Sequence, residues 1–288
     1  MDQVKERVAT DAASGRRTYR TLLVHAEAGL EPGHRAELGA RLARAFDAHL
    51  IGLAAETFDA PPAADPISAL AMADWYAAMQ ERVTKDLKAA ETAFRRDAAG
   101  ADIEWRAVKD YPARALVRAA RAADLIIVGQ KAPENGTRYP DPAEVVMAAG
   151  RPVLVAPRGR NHLRAEAIVV AWKDTRECRR AIADAMPFLQ AAKTVLVHGV
   201  APRGEKGPVK AEVEDVASYL RRHGVAARQM VTVAANGTAE ELERVARVEG
   251  ADLIVCGAYG HNRLREWAFG GVTEHFLRGG REFVMMSH

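Results

Sequence analysis

A chain of 288 residues, 49% hydrophobic and 27% charged with a formal net charge of +3, has enough apolar material for one large core or two ordinary ones. The charge is too small, and the basic residues too scattered, to point to a nucleic-acid partner. No apolar run approaches the ~20 residues that cross a bilayer, so no membrane span is expected.

Residues 1–17 alternate charge with small residues and lack the apolar segment of a signal peptide, so a mobile tail is expected there. The two cysteines, Cys178 and Cys256, lie far apart in helix and strand patterns, which fits a cytoplasmic location.

From there the chain alternates short apolar strands with amphipathic helices. The first half predicts strands near 18–26, 49–55, 102–108, 125–129 and 152–156, and helices near 33–47, 67–98, 112–122 and 142–149. The second half predicts strands near 167–172, 194–200, 228–233, 253–257 and 283–287. Its helices fall near 176–190, 209–224, 239–249 and 272–278. Runs such as Ile168-Val169-Val170-Ala171 are apolar on both faces, as parallel strands covered by helices must be.

The order repeats. Ala123-Asp124-Leu125-Ile126-Ile127-Val128-Gly129 returns as Ala251-Asp252-Leu253-Ile254-Val255-Cys256-Gly257, and Arg151-Pro152-Val153-Leu154 is echoed by Arg281-Glu282-Phe283-Val284. Two copies are too few for a solenoid. The expected fold class is α/β: two tandem five-stranded parallel-sheet domains of nucleotide-binding, Rossmann-like type, related by duplication. The boundaries are 18–160 and 161–288, with the polar stretch 158–162 as linker. Pairing of the two domains through their terminal strands would make an internal pseudo-dimer. Ligands of such sheets lie beyond the carboxyl ends of the strands.

One stretch there carries chemistry. Strand 253–257 ends at Gly257, Tyr259 and Gly260 follow, nine residues intervene, and Gly270-Gly271-Val272-Thr273 opens a helix. Glycines let backbone N–H groups approach a ligand closely. A helix start adds unpaired donors and partial positive charge. Together they read as a phosphate cradle, with an ordinary strand-to-helix loop as the plain alternative.

The spacing Gly257-x-x-Gly260, nine residues, Gly270-Gly271-Val272-Thr273, inside a five-stranded α/β unit, resembles the universal stress protein family in tandem form. The resemblance implies a stress-response protein that binds ATP or a related nucleotide, with Mg accompanying it, in the second domain. Gly257 and Gly260, with Tyr259 between them, would then follow the ribose and phosphates. Gly270, Gly271, Val272 and Thr273 would wrap the phosphate tail. Ala171, Trp172, Lys173 and Val200 would border the base. It leaves a homodimer open beside the internal pair.

Two positions depart from the family's nucleotide binders. Gly271 stands where they carry a serine, and Lys173 where an aspartate meets the adenine amino group; lysine has no acceptor to offer. In the first half the cradle falls on Pro140-Asp141-Pro142-Ala143-Glu144. That is a helix start with Asp141 as N-cap, Pro142 at the first helical position and Glu144 set for a capping box. A carboxylate at the anion position predicts a first domain that binds no nucleotide. The alternative function is a stress scaffold, or a binder of a small apolar ligand, acting through protein partners.

Other residues have plain readings beside sharper ones. Thr273 could cap a helix instead of touching phosphate. His261, Arg263 and Arg265 read as a solvated basic face or a screen for phosphate charge. His25 and His198, at the ends of first and second strands, read as core histidines before ligands. Met72, Trp75, Met79 and Val83 form a core stripe or the lid of an apolar cavity. Cys178 sits among Arg176, Arg179 and Arg180, a setting that could activate a thiol. No Walker loop, nucleophile elbow or metal-spaced His/Cys set is present, so no catalytic residue is named and no activity beyond slow ATP hydrolysis is expected.

Overall fold

A computed structural model describes residues 18–26, 34–59, 66–131, 139–235, 237–259 and 271–288. The expected tail over 1–17, and Gly260, His261, Arg263, Arg265 and Gly270, lie outside these residues.

The first half runs β1 (Thr21–His25), α1 (His34–Phe46), β2 (His49–Ala55), α2 (Pro66–Asp97), β3 (Ile103–Val108), α3 (Pro112–Ala119), β4 (Leu125–Gly129), α4 (Pro142–Ala148) and β5 (Val153–Ala156). The second runs β6 (Ala167–Trp172), α5 (Arg176–Asp184), α6 (Met186–Ala191), β7 (Thr194–Val200), α7 (Lys206–Arg222), β8 (Ala227–Thr232), α8 (Thr238–Val248), β9 (Leu253–Gly257), α9 (Gly271–Gly279) and β10 (Phe283–Ser287). All ten expected strands form, most within a residue of their expected ends.

One expectation fails. The single helix over 176–190 is two, broken at Ala185. Pro187 has no N–H to continue the helical ladder, and the Asp184 carbonyl accepts from the Tyr19 hydroxyl at 2.7 Å.

The strands join into one sheet of order β3-β2-β1-β4-β5-β10-β9-β6-β7-β8, which reads the same from either edge. Every pairing is parallel except β5 with β10, where Val155 faces Val284 antiparallel. The terminal strands thus join the halves as an internal pair. Two apolar layers cover the sheet. Val24, Ile127, Val170 and Val255 pack beneath α1, α2, α5, α6 and α7. Leu23, Val128, Val169 and Ile254 pack beneath α3, α4, α8 and α9.

The repeated Ala-Asp pair has a physical role. The Asp124 carboxylate accepts from the backbone N–H groups of Arg20 (2.8 Å) and Thr21 (3.0 Å), where β1 begins. Asp252 does the same for Arg164 (2.8 Å) and Ala165 (3.1 Å) ahead of β6. Each aspartate therefore fixes the register of its half's first strand.

Helix α2 is longer than the sheet it covers. Val83, Leu87 and Ala90 are buried against Ala54, but Met72, Trp75 and Met79 are only partly buried. There Trp75 and Tyr76 meet Phe58, with ring centroids 5.4 and 5.8 Å away. The expected core stripe is core only from Val83 onward.

Candidate functional site

Strands β6, β7 and β9 end together at one edge of the second half. Strand alternation divides the expected residues between the two faces. Ala171 is in register with His198 on β7 and Cys256 on β9. Together with Val200, Tyr259 and Val272 it belongs to the layer beneath α8 and α9. Trp172 turns to the opposite layer and donates its indole N–H to Glu212 Oε2 on α7 at 3.2 Å. The structure therefore does not bring Trp172 together with Ala171 and Val200. Lys173 is exposed, and Asp174 beside it accepts from Arg179.

Gly257 is demanded by packing. A Cβ there would lie 2.5 Å from the backbone nitrogen of Cys178 and 2.7 Å from the Glu177 carbonyl carbon, because the first turn of α5 crosses directly over it. Thr175 caps that helix, its hydroxyl accepting from the Cys178 N–H at 3.3 Å. Burial pushes the Glu177 carboxyl up, but hydrogen bonds from Arg176, its own backbone N–H and Thr175 outweigh this and lower it. Cys178 is buried with its thiol directed at the Ala171 carbonyl, 3.6 Å away. Arg176, Arg179 and Arg180 are exposed and engage Glu177, Asp174 and Asp184. The activated-thiol setting read from the sequence is therefore not formed: the arginines turn outward to carboxylates and the sulfur turns inward.

Tyr259 holds a left-handed backbone, φ 59°. Burial first, then Glu274 and Asp141, raise its phenol above the ordinary range. Helix α9 begins at Gly271, where an added Cβ would meet no described atom within 4 Å. Val272 is partly buried and Thr273 buried. The N–H groups of a first helical turn have no intrahelical acceptors, and the residue before Gly271 in the sequence is again glycine, which has no side chain to cap them.

The first half fills the corresponding places. Asp141 caps α4, its Oδ1 accepting from the Ala143 N–H at 2.9 Å, and its Oδ2 accepts from Lys131 Nζ at 2.8 Å. The expected capping box is half made: Glu144 is exposed, and no return bond to it occurs among the described residues. Beside Gly129, the counterpart of Gly257, lies the guanidinium of Arg35, with Nη1 2.6 Å from where a Cβ would stand. Arg35 Nε reaches the His25 carbonyl at 3.4 Å, and burial lowers its guanidinium to about 10. His25 is buried, and burial and then Arg35 lower its imidazole well below the usual range.

His198 is fully buried, with Nε2 2.8 Å from Thr232 Oγ1. Thr232, Glu241, Glu177 and Arg35 were not singled out by the sequence reading. Arg244 three residues after Glu241 was legible as a helical pair, but a partner on a neighbouring strand was not. Among the described residues no group of three or more His, Cys, Asp or Glu side chains could hold a metal ion, and no helix is long and apolar enough to cross a membrane.

Residues 165–286, spanning β6 to β10 and this whole edge, match the model of the universal stress protein family. They form a universal stress protein domain. The fold likeness extends over both halves. A universal stress protein from Archaeoglobus fulgidus is similar over 92% of this chain and 94% of its own, at a TM-score of 0.62 and 14% identity. A functionally unknown protein from Pseudomonas aeruginosa is similar over 96% of this chain and 93% of its own, at 0.58 and 18%. At these identities the likeness concerns the fold alone. No curated protein matches the sequence.

Proposed function

We propose that this chain is a cytoplasmic stress-response protein whose second domain, residues 161–288, binds ATP or a related nucleotide. The first domain, 18–160, keeps the fold without the ligand. The observation that carries this reading is the contrast between two helix starts. Helix α4 is closed by the Asp141 carboxylate and its Lys131 partner; α9 begins at Gly271, with no described atom within 4 Å of an added Cβ and Thr273 buried in the first turn. Unpaired first-turn donors and the positive end of the helix suit a phosphate. Ala171, Val200 and Tyr259 supply an apolar border for the base on the same face. Mg would travel with the phosphate tail. Gly260 and Gly270 belong to this site by their spacing in the sequence.

Equilibrium dialysis of the full chain against ATP up to about 1 mM, a weak affinity worth roughly 4 kcal/mol, tests the reading. Saturable binding of one nucleotide per chain is expected, and no binding at that concentration rejects it.

A second reading is a scaffold that engages an apolar partner through α2. It is favoured by the Phe58, Trp75 and Tyr76 cluster, where Tyr76 is 39% exposed. Tyr76→Ser combined with Met79→Ser would then abolish partner capture and leave nucleotide binding intact.

A further inference from the structure

Helix α9 is held at its far end by the other half of the chain. The last carbonyls of this helix, Gly271–Gly279, have no N–H further along it to accept from. Two groups of the first half take up that end. The Lys131 N–H donates to the Leu277 carbonyl at 2.8 Å. Gln130 Nε2 donates to the Gly280 carbonyl at 2.5 Å, with the Phe276 carbonyl 3.5 Å away. Both oxygens that face the Gln130 amide only accept, so the amide must turn its nitrogen toward them.

These donors are tied down from behind. The Gln130 N–H donates to the Ala156 carbonyl at 3.3 Å. Lys131 donates from Nζ to Asp141 Oδ2 at 2.8 Å, and its carbonyl accepts from Arg158 Nη2 at 2.9 Å. The carboxylate that closes α4 in the first half therefore also braces the segment that holds α9 in the second.

The repeat shows that the side-chain part of this hold runs one way. With Gly129 set on Gly257 and Arg151 on Arg281, Gln130 corresponds to Ala258 and Gly280 to Gly150. Alanine has no side-chain donor. The Gly150 carbonyl accepts instead from Arg180 Nη2 on α5, at 3.1 Å. The amide at this position thus exists for α9 and has no counterpart for α4.

A helix of nine residues is about 14 Å long, so whatever fixes one end aims the other. The start of α9 is where the nucleotide reading puts the phosphates, and donors aligned before the ligand arrives bind it more tightly. We propose that Gln130 is a positioning residue of the nucleotide site. From the first half it holds the end of α9, with the Lys131 N–H beside it, and so keeps the donors at the helix start directed at the phosphates. The proposal rests on the nucleotide reading above. It gives the half without a ligand a part in binding at the other.

Gln130→Glu keeps the shape of the side chain, removes the donor and sets a negative charge against the carbonyl end of the helix. Affinity of the full chain for ATP, measured by equilibrium dialysis, should fall about threefold to tenfold, the scale of one lost hydrogen bond. Gln130→Lys restores a donor and adds a positive charge that suits this end, and should bring the affinity back to within about twofold. A merely structural role would not make Lys131 sense ATP. Coupling between sites is reciprocal, so ATP should slow hydrogen exchange of the Lys131 amide in the unaltered chain, and Gln130→Glu should lose that slowing. The exchange measurement on the unaltered chain decides by itself should Gln130→Glu fail to fold. Affinity unchanged in Gln130→Glu, no recovery in Gln130→Lys, or Lys131 exchange indifferent to bound ATP overturns the assignment and leaves the nucleotide reading standing. No ATP bound by the unaltered chain overturns both.

Discussion

The two halves share a backbone plan and differ at two contacts. At the helix that precedes the last strand, α4 is capped by Asp141 and locked to Lys131, while α9 begins at Gly271, where an added Cβ would meet no described atom within 4 Å. At the strand end before it, Gly129 faces the movable tip of Arg35, whereas Gly257 faces the backbone of α5. The two halves thus share the sheet and its helices, and a handful of side chains at the strand ends differ: a carboxylate caps one helix start and glycine begins the other. The lesson is that a glycine conserved between copies need not serve one purpose: the same position is filled by a side chain in one half and by main chain in the other.

Variants can break this comparison. The largest effect is expected from Gly257→Val, whose side chain would strike the main chain of Glu177 and Cys178 and cannot be accommodated by rotamer changes. A loss of about 3 kcal/mol is expected, at the upper end for overpacking, read by urea denaturation. Gly129→Ala asks only that the Arg35 tip swing aside and should cost less than about 1 kcal/mol. Equal losses at the two sites would erase the distinction.

Gly271→Asp would copy the first half's carboxylate onto the open helix start. It meets no described atom and complements the helix dipole, so stability should hold or rise by a few tenths of a kcal/mol. Affinity for ATP should drop at least about tenfold, the scale of one charge-assisted hydrogen bond. Unchanged affinity would mean that the phosphates do not reach α9. In the opposite direction, Asp141→Ala removes a cap and should lower stability by about 1 kcal/mol without creating a nucleotide site, because the Arg35 guanidinium still fills the space beside Gly129.

The smallest expected effect concerns Glu282, which stands where the first half has Pro152. Glu282 is 8% exposed with Oε2 unpartnered among the described residues, and burial first, then Glu243, raises its carboxyl above the usual range. A carboxyl raised by folding favours the folded state while protonated. That contribution is present below the ordinary glutamate range, near pH 4, and is lost as pH rises through the raised value. Glu282→Gln should leave stability unchanged below about pH 4 and increase it near pH 7, as followed by thermal unfolding at both values. A variant less stable at neutral pH would contradict the sign.

Much of the fold was legible in the sequence because strand-forming runs apolar on both faces have few structural alternatives. The Ala-Asp repeat pointed to duplication, and hydrogen bonding explains why the aspartates recur. The Asp141-Pro142 helix start was legible too, since capping is a local matter of a few residues. The candidate site was less so. Trp172 looked like a neighbour of Ala171, but adjacent strand residues face opposite layers. Pro187 was hidden inside an otherwise helical pattern until Tyr19, far away in sequence, took the Asp184 carbonyl.

Local chemistry and periodicity thus determined the order of elements, the twofold repeat and the contrast between Asp141 and Gly271, since each depends on residues within a turn or two of one another. Only the tertiary structure decided that β5 and β10 join the halves antiparallel, that Arg35 rather than main chain lies over Gly129, and that His198 meets Thr232 and, through it, Glu241. Those pairings join residues distant along the chain, and the free energy that selects them is shared among many packing contacts, none of which is visible in any one stretch of sequence.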